Sequence, residues 1–123
     1  MFDQIKSVGA VAGLMRDKER LRRAADTLTR RLAEVRATGD AGVGAVRVTA
    51  AGDMTIVSVE LSPALAASIV DEESRAACER LIAEAANEAL RRARALAQGE
   101  VTRLAREMGL PDLPGLGGLL PGV

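Results

Sequence analysis

Between residues 3 and 36, apolar side chains recur at alternating steps of three and four: Val11, Leu14, Leu21, Ala25, Leu28, Leu32 and Val35. That spacing keeps one side of an α-helix apolar. With Val11, Lys18, Ala25 and Leu32 at heptad position a and Leu14, Leu21, Leu28 and Val35 at d, the seam is narrow, and Lys18 interrupts it. A polar a residue costs stability while fixing register.

The pattern stops at "ATGDAGVG", residues 37–44, whose three glycines favour turns or a close approach of two backbones. Then "AVRVTA" (45–50) and "MTIVSVEL" (54–61) alternate β-branched and polar residues around Ala51-Gly52-Asp53. This predicts an antiparallel hairpin with Val46, Val48 and Ala50 on one face and Val57, Val59 and Leu61 sharing another. Ser62-Pro63 reads as an N-cap followed by proline at the first helical position, opening a turn or two through about Ile69. A longer helix is expected from Asp71, with Glu72 and Glu73 complementing the positive end of its dipole. Its apolar stripe is Cys78, Leu81, Ile82, Ala85, Ala89, Ala93, Leu96, Val101, Leu104 and Met108, weakened at Gly99 and ended by Gly109 and Pro111. If continuous, that helix is about 57 Å long. A compact chain of this size has a radius of gyration of only about 14 Å, so the helix projects or lies along a partner.

Pattern alone thus gives an α+β chain with a small antiparallel sheet between two long helices. The division expected is one domain over 1–109 and a Pro/Gly/Leu-rich tail over 110–123 that is mostly disordered and retains leucines able to dock. The core of a 123-residue chain is small, which puts a second copy in view.

Composition removes more functions than it suggests. There is no His, Trp or Tyr, one Phe and one Cys, so most groups that do acid–base, metal or nucleophilic chemistry near neutral pH are missing. No catalytic site, metal, cofactor or small-molecule substrate is expected. A lone Cys78 makes no intrachain disulfide and gives no sign of an oxidising compartment. The run "VGAVAGLM" (8–15) is too short to span a bilayer and carries no cleavage site before the charges begin, so a cytoplasmic protein without a membrane is the simpler expectation.

Other motifs have structural readings. "GDAGVG" has neither dinucleotide-binding nor P-loop spacing, and it runs helix to strand where a phosphate loop runs strand to helix. Glu72 and Glu73 point about 100° apart and serve the dipole. Cys78 lies in an apolar stripe and reads as a small buried hydrophobe.

The basic residues say more. The chain holds 17 basic and 17 acidic residues, but residues 1–38 carry nine basic against five acidic. On the heptad, Arg16, Arg23 and Arg30 fall on the outermost line f, about 10 Å apart. Arg22 and Arg36 are at e and Arg31 at g, while Glu19, Asp26 and Glu34 are at b and c. Arg91, Arg92 and Arg94 form a second cluster on the long helix. Glu19–Arg23, Asp26–Arg30 and Glu88–Arg92 have the i, i+4 spacing of ion pairs, which would make part of this a self-neutralised solvated face. Two copies of the first helix would instead pool their excess charge against a phosphate backbone. Charge pattern leaves both readings open, and without aromatic platforms or a recognition helix it gives no base readout.

A resemblance weighs between them. Thr38-Gly39-Asp40-Ala41-Gly42-Val43-Gly44-Ala45-Val46-Arg47-Val48 resembles the Gly-rich stretch and Val-basic-Val strand of the YbaB/EbfC family of bacterial nucleoid-associated proteins. Val59-Glu60-Leu61-Ser62-Pro63 is similar to the ending of that family's last strand. Leu81-Ile82-Ala83-Glu84-Ala85-Ala86-Asn87-Glu88-Ala89, followed by Arg91-Arg92, resembles its second long helix. Together they cover about residues 10–108. The resemblance implies an α-β-β-β-α order with a short first strand near 36–41, a homodimer with joined sheets and helices projecting like tweezers, and binding of duplex DNA in the nucleoid with limited sequence preference. Two features depart from it: Ala86 stands where many members have an aromatic, and the first helix is Arg/Ala-rich rather than rich in Gln, Met and Lys.

The expected function is therefore a non-catalytic homodimer binding duplex DNA through Arg16, Arg22, Arg23, Arg30 and Arg31, with Arg91 and Arg92 as further candidates. These residues come from face and charge, not from a family motif. The alternative is a dimeric scaffold that holds another protein through its long helices or leucine-rich tail.

Overall fold

The computed structural model describes residues 2–109, with only the helical backbone for 2–11 and 14. The tail expected over 110–123, the Pro111 stop, and the side chains of Val11 and Leu14 lie outside the described residues. The chain runs α1 (Phe2–Glu34), β1 (Arg36–Ala41), β2 (Val46–Ala51), β3 (Ile56–Leu61), α2 (Pro63–Ser68) and α3 (Glu72–Glu107). The strands form one antiparallel sheet in the order β1-β2-β3. This is the α-β-β-β-α, α+β arrangement expected.

Pattern reading placed a turn across 37–44. Most of it is strand β1, and only the stretch after Ala41 turns, with Gly42, Val43 and Gly44 at φ of 64°, 56° and 81°. β1 carries no alternation of large apolar residues because it has no room for them. Ala37, Gly39 and Ala41 face α3 and are buried, and a Cβ on Gly39 would run into the Ala85 carbonyl oxygen and the Ala89 amide nitrogen. Close backbone approach, not a turn, is what this glycine provides.

Both helix starts form as the residues dictate. Ser62 accepts a hydrogen bond from the Leu65 amide at 3.1 Å ahead of Pro63. Asp71 accepts from the Ser74 amide at 2.8 Å, and the Ser74 hydroxyl accepts from the Asp71 amide at 3.1 Å. Two otherwise unpaired amides are satisfied this way. α3 passes through Gly99 without a break for 36 residues, about 54 Å, and ends where Gly109 turns left-handed at φ 72°.

The core is a seam of small residues. Ala85, Ala89 and Ala93 of α3 lie on Ala37, Ala41, Val46, Val48 and Ala50 of the sheet. Further along, Ala97 and Val101 pack with Leu32. The buried line of α3 thus passes through Ala97 and Ala105, while Leu96, expected inside, is 49% exposed. A helix lying so near its sheet admits alanine and excludes leucine. Ala86, where the resemblance led to the expectation of an aromatic, is partly buried against this core.

Among the described residues, α1 packs by its C-terminal end. Leu28 and Leu32 meet the Ala97–Val101 region, and the two long helices run antiparallel there. Toward its N-terminus α1 passes the last turn of α3, and Leu21, a d residue on the heptad, is 62% exposed, with Met15 at 66%. Ala25, an a residue, is exposed too. The heptad continues where its partner helix does not.

Candidate nucleic-acid interface

The basic side chains of α1 point outward along a helix that nothing among the described residues flanks before about Arg20. Arg16, Arg22, Arg23 and Arg30 are exposed, and Arg31 is half-buried. Arg23 meets Glu19 at 3.4 Å with both side chains largely in water, so the pair neutralises little. The other pair expected on this helix, Asp26–Arg30, does not form among the described residues, which leaves the Arg30 charge uncompensated. Arg31 turns inward and its Nη2 lies 2.8 Å from Glu107 Oε2 on α3.

The outer line Arg16, Arg23, Arg30 is only part of the surface. Met15, Arg16, Glu19, Arg20 and Arg23 line one shallow depression. Arg20, Arg23, Ala24, Thr27, Arg31, Leu104, Glu107 and Met108 line a second, between α1 and the last turn of α3. Arg20 joins the two, and reasoning from the heptad passed over it because position c is not outermost. The signal was present in the spacing: 20, 23, 27 and 31 follow one another at three and four, the spacing of one helix face.

Arg91 and Arg92 do not join this surface. Arg92 Nη1 donates to the Thr38 carbonyl oxygen at 2.7 Å, and its Nη2 pairs with Glu88. It therefore ties α3 to edge strand β1. Arg91 is exposed with no ion pair among the described residues. Fifteen residues of helix, about 22 Å, separate Arg92 from Glu107, where Arg31 sits.

A second surface is apolar. β3 is the sheet edge that α3 fails to cover. Val59 pairs with Val48 and Leu61 with Val46, so both point to the same side as the core. A bulge at Val57, opposite Thr49 and Ala50, brings Ile56 level with Ala50. These four side chains are nevertheless 37–50% exposed. Four neighbouring apolar residues on an open strand edge form the kind of patch that marks an interface.

Among the described residues, no helix is long and apolar enough to cross a membrane, and no three or more His, Cys, Asp or Glu side chains gather to hold a metal ion. Cys78 is buried beside Leu81 and Ile82 in sequence, in line with its reading as a small core residue.

The chain is similar to a nucleoid-associated protein of Pseudomonas fluorescens (strain Pf0-1), with 30% identity over 103 residues that cover 84% of this chain and 91% of that protein. The sequence profile of the YbaB/EbfC DNA-binding family matches residues 8–108, which takes in everything from the projecting part of α1 to the end of α3. The chain belongs to the YbaB/EbfC DNA-binding family.

Proposed function

We propose that this protein is a homodimer that binds duplex DNA in the nucleoid with little sequence preference, its α1 arginines meeting backbone phosphates. The observation that carries the reading is the row of exposed arginines on a helix that leaves the body of the protein. Arg16, Arg22 and Arg30 have no ion pair among the described residues, and Arg23 has only the exposed, easily screened contact with Glu19. Arginine forks suit phosphate oxygens, and among the described residues nothing beside them offers base stacking or groove readout. Membership of a DNA-binding family supports the same reading.

Dimerisation supplies what one chain lacks. The open apolar face of β3 gains cover from a second copy, and two α1 helices combine their charge. Arg91, exposed and without an ion pair among the described residues, is a separate candidate contact, whereas Arg92 mainly holds β1.

Replacing Arg16, Arg23 and Arg30 together by Glu tests this while sparing the Arg31–Glu107 pair. Fluorescence anisotropy of a random-sequence duplex should show binding by the wild type that weakens steeply and linearly in log salt. The variant should lose binding while sedimenting as the wild type does. Unchanged binding would remove this surface from the mechanism.

A further inference from the structure

The shallow groove between α1 and the last turn of α3, about 290 Å³ in volume, is lined by Arg20, Arg23 and Arg31 with one carboxylate, Glu107. We propose that this groove is a phosphate seat, and that Glu107 occupies it as a built-in competitor for Arg31. The proposal rests on the duplex-binding reading above and narrows it to one place.

Like charges brought together need an anion. Among the described residues Arg20 pairs with no carboxylate, and Arg23 has only its exposed contact with Glu19. Arg31 is held by Glu107 through Nη2 alone, at 2.8 Å, while its Nη1 is buried with no partner. Half of that fork is unmatched. A phosphate accepts from both terminal nitrogens of a guanidinium, so exchanging Glu107 for phosphate, with the Arg31 fork turned toward the groove, gives the unpartnered nitrogen an acceptor.

The exchange leaves Glu107 with somewhere to go. Arg103 Nε, on the same helix one turn earlier, is 3.8 Å from Glu107 Oε1. The negative end of the α3 dipole opposes an anion here, and the arginines must outweigh it. Met108 N donates to the Leu104 carbonyl and Gly109 N to the Arg106 carbonyl, each at 3.0 Å, so part of the helix's negative terminus is internally bonded.

The chemistry recognised is a phosphate oxyanion, carried by a DNA backbone or by a small phosphorylated molecule. The full chain, Glu107→Gln and Arg20→Gln are compared by anisotropy with a random-sequence duplex over a range of salt, and by calorimetry with pyrophosphate. Glu107→Gln removes the competing charge and should tighten duplex binding roughly three- to tenfold. Arg20→Gln, at an exposed side chain, should weaken it by a similar factor and lower the log–log salt slope by about one. Unaltered melting temperatures for both variants assign these changes to binding.

If the wild type binds duplex and neither substitution alters affinity or slope, the groove is overturned while the DNA reading stands. If no duplex is bound, the DNA reading fails and pyrophosphate decides. Binding tightened by Glu107→Gln and weakened by Arg20→Gln establishes a seat for a small phosphorylated molecule, and no response overturns the groove as well.

Discussion

Replacing Val59 by Asp distinguishes a β3 face that stays in water from one that a second copy covers. In a single chain Val59 is 47% exposed, so about half of its side chain already touches the core. Full burial of a valine stabilises by about 1.5–3 kcal/mol, so the covered half represents about 1 kcal/mol, the expected loss for a lone chain whose new carboxylate turns to water. A dimer behaves differently. The exposed portions of Ile56, Val57, Val59 and Leu61 amount by the same rule to about 3–4 kcal/mol per protomer, a large share of what holds a small interface. The introduced carboxylate would enter that interface from both copies, beside Val48 and Leu61, whose side chains offer it no cation. Desolvating an unpaired charge costs several kcal/mol, so the dissociation constant should rise about a thousandfold or more. Sedimentation velocity over a wide concentration range reads this directly, with urea denaturation as the measure of the lone chain. A variant that assembles as tightly as the wild type would sink the assignment of this face, and a wild type that remains monomeric would sink the dimer.

Three further outcomes are expected. Gly39→Ala should cost about 2–3 kcal/mol, seen as a lowered urea midpoint, because its Cβ meets α3 backbone that cannot move without opening the alanine seam; a loss below about 0.5 kcal/mol would contradict the close approach. Val43→Asn should raise the melting temperature, gaining about 0.5–1 kcal/mol, since Val43 is fully exposed at φ 56°, a region that asparagine tolerates and a β-branched residue does not; a lowered melting temperature would show the valine to be anchored. Hydrogen bonds from the Ser74 amide and hydroxyl hold the Asp71 carboxyl below its ordinary value of 3.8. Because the folded value is the lower one, this stabilisation is present above the ordinary value and is lost as pH falls through the folded one. Urea midpoints of wild type and Asp71→Asn should therefore differ near neutral pH and converge in acid; a constant gap would refute a role for the charge.

Element order was legible wherever a local signal settles structure. Ser62-Pro63 and Asp71-Glu72-Glu73 carry their caps in side chains a few residues apart, and the alternation in Val46, Val48 and Ala50 marks a strand with one buried face. β1 was illegible to pattern because its partner dictates its residues: a strand pressed against α3 must be Ala, Gly and Ala, which without that helix reads as a turn. The choice of Ala97 over Leu96 is likewise set by a neighbour distant in the chain, here Leu32 of α1. The β3 surface was half legible. Its residues were assigned correctly to one face, but α3's coverage ends at β2, and the bulge that turns Ile56 inward depends on register. For the basic surface, the heptad named an outer line, while the groove formed by Arg20, Arg23 and Arg31 required knowing where α3 stops beside α1.

Among the described residues α1 is gripped toward its C-terminal end, by Leu28, Leu32 and the Arg31–Glu107 pair, which makes it a lever with its fulcrum at one end. From Leu28 to Phe2 the arm is about 39 Å, so a tilt of about 10° at the fulcrum sweeps the tip through about 7 Å. That equals about two base-pair rises of a duplex. The arm thus converts a small adjustment of a packing contact into a large change of reach. On the proposed DNA reading, such compliance would let one row of cations follow wide and narrow grooves alike, at the expense of telling one sequence from another.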